Sequence, residues 1–121
     1  MLSSVPFEIP AYLLDRVRNL ETVRMAVAGA DHPVALESAR QAARSGLIDP
    51  VLVGDAEAIQ AIAREAEWDI SGYQLVDAAG EDKAPAAAVA LARSGEVATL
   101  MKGHVHTDAL MKAVVNGDAG L

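Results

Sequence analysis

Residues 50–68, PVLVGDAEAIQAIAREAEW, hold the pattern that decides the fold of this 121-residue chain. The first five residues form an apolar run of strand length that ends at Gly54. Asp55 follows, and aspartate is a residue type that favours the start of a helix. The apolar side chains after it recur on one helical face, at Ile59, Ile62, Ala63 and Ala66. The stretch therefore predicts a strand joined by a short loop to a helix.

The same alternation continues on both sides of this unit. Strand-length apolar runs occupy residues 22–28, 50–54, 73–77 and 97–102, and helical periodicity occupies residues 10–20, 32–45, 55–68, 83–94 and 107–116. Strands that alternate with helices through short loops form parallel βαβ units with right-handed crossovers. We therefore expect an α/β fold with three layers (α/β/α). Its doubly wound, Rossmann-like sheet holds four parallel strands in the spatial order 3-2-1-4.

Length and composition predict one domain over residues 1–121. The chain has the size of a single domain, and its 52% apolar residues argue against disorder. The predicted elements end on a helix with no further strand to pair. This ending is typical of one lobe of a longer protein, so we expect a second lobe to be absent here.

Charge and residue usage exclude several classes of function. The net charge is −7, from 10 Lys+Arg against 17 Asp+Glu, which argues against a nucleic-acid surface. The chain has no cysteine, which excludes disulfides, thiolate metal sites and cysteine nucleophiles. Apolar runs stay well below the roughly 18 residues that a membrane span needs, and the N-terminus lacks a signal-peptide pattern. We expect a cytoplasmic protein that does not bind membranes.

The loop over residues 102–107, KGHVHT, is the richest in ligand-binding residue types. Ligands of open α/β sheets bind at the carboxyl ends of the strands, where this loop is expected. Lys102 ends a buried strand, Gly103 permits close backbone approach, and Thr107 starts a helix whose N–H groups attract anions. The loop therefore predicts a phosphate site. The alternative is an ordinary turn, with Thr107 as an N-cap and Lys102 as a solvated charge.

His104, His106 and Asp31 are the other candidates. The two histidines share one face of an extended stretch, an arrangement that can hold a metal, but only Asp108 lies near as a third ligand, so no metal site is predicted. We expect His104 to line the ligand cleft. Asp31 either caps a helix or lies beside Lys102, because the first and fourth strands are predicted neighbours. Neither a dinucleotide fingerprint, a P-loop nor a GxSxG motif is present, and no catalytic residue is assigned.

Three blocks of sequence resemble one enzyme family. Residues 100–111, LMKGHVHTDALM, resemble the LMKG-x-x-x-T-x-x-L-M signature of the phosphate acetyl/butyryltransferases. Residues 50–55 and 87–97 resemble that family's P-[IV]-L-V-G and A-x-x-A-V-x-L-V-x-x-G-E-A segments, in the same order and spacing. The closest likeness is to the acyltransferase part of bifunctional enoyl-CoA hydratase/phosphate acetyltransferases, where the loop reads LMKG-x-x-HTD-x-LM. The resemblance extends over residues 23–121.

The resemblance implies acyl transfer between coenzyme A and inorganic phosphate, which converts acyl-CoA and phosphate into acyl phosphate and CoA. It implies two lobes around a cleft, with this chain as the N-terminal lobe, inactive alone because the second lobe supplies further site residues. Lys102, Gly103 and Thr107 would bind phosphate or the thioester. Coenzyme A would be a substrate and no cofactor would be tightly bound. The partners would be these small molecules and, through an apolar last helix, further copies of the chain.

Two other functions remain open from the residues. One is a non-catalytic α/β ligand-binding or regulatory domain that keeps the anion loop. The other is a receiver-like phosphoacceptor domain, which fits less well because Asp31 and Asp77 stand singly rather than in an acidic cluster.

Overall fold

The computed structural model describes residues 22–121, so the helix predicted over residues 10–20 lies outside the described part. Strands and helices alternate along the described residues. The elements are β1 (Val23–Ala28), α1 (Pro33–Arg44), β2 (Ile48–Gly54), α2 (Ala56–Glu65), β3 (Leu75–Asp77), α3 (Lys83–Arg93), β4 (Thr99–Lys102) and α4 (Thr107–Val114). No helix within this range has the length and hydropathy that a membrane crossing requires.

The sheet is parallel throughout and its strands lie in the order β3-β2-β1-β4. This confirms the predicted α/β class and the predicted spatial order. Ala28 pairs with Val53 of β2 on one side and with Lys102 of β4 on the other. The loops that follow β1 and β4 therefore leave the sheet side by side.

Each face of the sheet carries its own apolar core. Along β1, Val27 faces α1 and α2, whereas Ala26 and Ala28 face α3, as expected for a strand covered on both sides. Leu36 of α1 and Ile59 of α2 are almost fully buried in the core on the α1 and α2 side of the sheet. The core between the sheet and α3 contains four alanines, four valines and one leucine.

The largest departure from the predicted boundaries is at the end of α2, which stops at Glu65 and not at Trp68. Glu67 adopts a positive φ of 55°, and the N–H groups of Glu67 and Trp68 donate to the carbonyls of Arg64 and Ala63. This is a Schellman ending, in which the chain reverses and folds back. Trp68 then packs against Tyr73, with ring centroids 5.3 Å apart, and β3 begins at Leu75 rather than at Tyr73.

Candidate functional site

A cleft of about 380 Å³ lies where the loops after β1, β3 and β4 meet. Parallel pairing brings these strand ends to one edge of the sheet, and α3 packs across β1 and β2 so that its first turn reaches the same place. The residues that line the cleft are Asp31, Gly80, Glu81, Ala84, Lys102, Gly103, His104, Val105 and His106. Four of the five residues predicted for the site thus come together.

The β4–α4 loop crosses directly over the end of β1. The Gly103 N–H donates to Ala28 O and the His104 N–H donates to Gly29 O, both at 2.8 Å. A Cβ on Gly103 would lie 2.5 Å from the Gly29 carbonyl oxygen. Glycine is therefore required at position 103 by the close approach of another backbone, and its N–H is already engaged within the fold.

The two histidines of this loop have different partners. The His104 ring stacks on His32, with centroids 4.2 Å apart and planes 16° apart. His106 Nε2 lies 2.8 Å from Glu81 Oε1. Val105, between them, is buried and packs toward Gly29. The two imidazoles therefore do not share a ligand, and residues 22–121 contain no group of three or more His, Cys, Asp or Glu suited to a metal.

Asp31 lines the cleft but does not cap α1. His32 holds the N-cap position, where its Nδ1 accepts a hydrogen bond from the Val34 N–H. The interpretation of Asp31 as the cap of its own helix is therefore wrong. The Asp31 carboxylate turns toward the next loop and accepts from the Asp55 N–H at 3.3 Å. Asp55 is the N-cap of α2, as the sequence indicates.

Thr107 is the first residue of α4 and does not line the cleft. His106 occupies the N-cap position, so the alternative role of Thr107 as an N-cap is wrong. The His106 side chain makes no capping hydrogen bond to α4, and the helix begins beside the cleft. Its first N–H groups therefore offer the positive end of a helix dipole next to Lys102.

Lys102 supplies the only ammonium among the lining residues of the described chain. The Lys102 side chain is exposed and, within residues 22–121, forms no hydrogen bond or ion pair. Two carboxylates, Asp31 and Glu81, face the same space. These two carboxylates and the Lys102 ammonium together carry a charge of −1, so these groups offer an anion directed contacts but no excess of positive charge.

Glu81 is the lining residue of chemical interest that the sequence did not single out. The available signal was its place in the loop after β3, at the carboxyl end of a strand. β3 and β4 are the two edge strands of the sheet, and β2 and β1 lie between them. Only the path of α3 across the sheet brings Glu81 next to His106.

The chain matches the family described as "Phosphate acetyl/butaryl transferase" over residues 10–115. It is 39% identical over 112 residues to the phosphate acetyltransferase of Rickettsia prowazekii, covering 90% of this chain and 31% of that protein. It is 36% identical over 109 residues to the phosphate butyryltransferase of Clostridium beijerinckii, covering 90% and 36%. The chain thus spans about a third of the length of these relatives.

A solved structure supports the fold. The EutD phosphotransacetylase from Staphylococcus aureus superposes with a TM-score of 0.65 over 89% of this chain and 43% of that protein. The sequence identity is 16%, so this likeness carries the architecture alone.

Proposed function

Because this chain belongs to the phosphate acetyl/butyryltransferase family, we propose that it contributes the N-terminal lobe of an enzyme that transfers acyl groups between coenzyme A and inorganic phosphate. The observation that carries the proposal is the cleft at the strand ends, where Lys102 lies beside the uncapped start of α4. The relatives named above are acyltransferases, and the family match includes this loop.

The proposed reaction needs charge stabilisation and alignment. A phosphate oxygen attacks the thioester carbonyl, the carbon becomes tetrahedral, and the C–S bond then breaks to release the CoA thiolate and leave acyl phosphate. Lys102 binds the phosphate oxygens, and the N–H groups at Thr107 and Asp108 add directed donors. Such fixed donors stabilise the oxyanion, and holding both substrates in line lowers the barrier further. Coenzyme A is a substrate, and the reaction needs neither a tightly bound cofactor nor a covalent enzyme intermediate.

The charge of the cleft bears on what the lobe does alone. Asp31 and Glu81 oppose Lys102, so the bound phosphate requires further positive groups for tight binding and turnover. The proposal assigns those groups to a second lobe. The 121 residues then bind phosphate weakly and do not form acyl phosphate. A cytoplasmic location stays a prediction from the sequence.

A non-catalytic ligand-binding domain is the second candidate function, because the cleft of the described lobe has one ammonium and so lacks the further positive groups that turnover requires. The two functions differ in turnover. Formation of acetyl phosphate from acetyl-CoA and phosphate, with this chain joined to a second lobe of a relative, supports the enzyme. Phosphate binding without turnover in that two-lobed protein supports the binding domain.

Substitution of Lys102 tests the phosphate site. Lys102→Ala should weaken binding of phosphate or acetyl phosphate by about 1.5–3 kcal/mol, the range of a charged hydrogen bond. Lys102→Arg should restore only part of this, because a planar guanidinium replaces a compact ammonium. The measurement is NMR titration of the 121-residue chain. Lys112→Ala removes an exposed lysine from α4 outside the cleft and is the matched control.

Folding should be unaffected in these variants, since Lys102 is exposed at a strand end. Equal phosphate affinity in the wild type and in all three variants would show that Lys102 is a solvated charge and would refute the site.

Self-association through α4 and the residues after it is part of the same proposal. Met111, Val115 and Leu121 are 50%, 68% and 62% exposed, which leaves an apolar surface on this side of the lobe. Light scattering should detect dimers or larger species, and Val115→Glu should shift them toward monomers. Val34→Glu alters an equally exposed valine on α1 and is the control. A wild-type chain that stays monomeric at high concentration contradicts this part.

A further inference from the structure

The contact between His106 Nε2 and Glu81 Oε1, 2.8 Å long, joins two sides of the cleft. Glu81 belongs to the loop before α3, and His106 to the loop before α4. Both side chains line the cleft, and both are exposed, at 54% for Glu81 and 77% for His106. A carboxylate of the protein thus lies against the His106 imidazole at the place where the proposed function puts a phosphate.

Two features make this contact exchangeable. A polar side-chain contact this exposed contributes little to stability, so breaking it does not disturb the fold. The His106 side chain makes no capping hydrogen bond to α4, so its ring can turn without unfolding the helix. His32 differs at the start of α1, because its Nδ1 is committed to the Val34 N–H.

The other carboxylate of the cleft is not exchangeable in the same way. Asp31 is half buried and accepts a hydrogen bond from the Asp55 backbone N–H. Displacing the Asp31 carboxylate would leave that N–H without its partner. Glu81, in contrast, has His106 as its only side-chain partner within residues 22–121, and it lies beyond ion-pair distance of Lys102.

We propose that Glu81 is an intramolecular competitor of the substrate phosphate, and that His106 is a binding residue which exchanges the Glu81 carboxylate for the phosphate group. The proposal rests on the proposed function, because it assigns that phosphate to the same cleft. A phosphate or acyl phosphate contacts Lys102 and His106 together, whereas Glu81 engages only His106. The second contact and the greater negative charge of the ligand favour the exchange.

A double-mutant cycle tests the exchange in the 121-residue chain at one fixed pH. The variants are Glu81→Gln, His106→Ala and their combination, and the probes are inorganic phosphate and acetyl phosphate, followed by NMR. Glu81→Gln should tighten binding about threefold to fivefold, the size expected from losing a competing exposed carboxylate. The same change should have little effect in the His106→Ala background. His106→Ala alone should weaken binding severalfold.

Asp82→Asn is the matched control for charge. It removes one negative charge next to Glu81 from a residue that makes no side-chain capping bond and does not line the cleft. Its effect on affinity should stay below about twofold, as expected for a screened surface charge. The imidazole signals of His106 should move when phosphate is added to the wild-type chain.

The outcomes distinguish failure of the exchange from failure of the proposed function. Equal effects of Glu81→Gln with and without His106 would overturn the exchange, because Glu81 would then act only as a nearby charge. Phosphate binding that moves the Lys102 signals but not those of His106 would overturn it as well and leave the proposed function intact. Absence of saturable binding in every variant would overturn the proposed function and the exchange together.

Discussion

Alanine at position 103 should destabilise the fold strongly, although it adds a single methyl group. An ideal Cβ would lie 2.5 Å from Gly29 O and 2.7 Å from Ala28 O, both backbone atoms that cannot rotate away. The β4–α4 loop must therefore lift off the end of β1. Overpacking of this kind costs about 1–3 kcal/mol. The two hydrogen bonds donated by Gly103 and His104 contribute about 1 kcal/mol each when formed.

If the loop shifts only in part, Gly103→Ala should lower the free energy of unfolding by about 3 kcal/mol in total. This corresponds to a fall in Tm of about 10 °C for a domain of this size. Thermal unfolding followed by circular dichroism measures it. Gly72→Ala is the control, because a Cβ there meets nothing within 4 Å, and its Tm should stay within about 2 °C of the wild type. Equal Tm values for the two variants would refute the close crossing of the β4–α4 loop over β1.

Two further substitutions test other contacts. Asp31→Ala should lower the free energy of unfolding by about 1 kcal/mol, because the Asp55 N–H loses its acceptor. Urea denaturation measures this change, and an unchanged midpoint would contradict the contact. The pKa of Asp69 is lowered from its usual 3.8, chiefly because the Ser71 backbone N–H donates to the carboxylate. The stabilisation by Asp69 is therefore complete above the unfolded-state pKa and is lost as the pH falls through the folded-state value. Asp69→Ala should be less stable than the wild type at neutral pH, with a difference that shrinks in acid; a constant difference across that range would contradict it.

Local pattern was sufficient for the architecture. The apolar runs and helical faces indicate four parallel strands, and the order β3-β2-β1-β4, predicted with a switch point between the first and fourth strands, is the observed one. The same pattern brings Asp31 and Lys102 to one cleft, because neighbouring parallel strands end at the same edge. The LMKG segment indicates the family from the sequence alone, because its residues are consecutive in the chain.

Only the tertiary structure decided which side chains meet in the cleft. The sequence could not indicate that Asp31 bonds to Asp55 rather than to its own helix, or that Glu81 reaches His106. These contacts join residues on separate loops, and each depends on how a loop crosses a neighbouring strand end. Hydrophobic periodicity indicates which face of an element is buried, because this signal is averaged over several turns of a helix or several residues of a strand. A single polar contact between loops depends on the position of the two chains to within about an ångström, and that position is set by the packing of the whole domain.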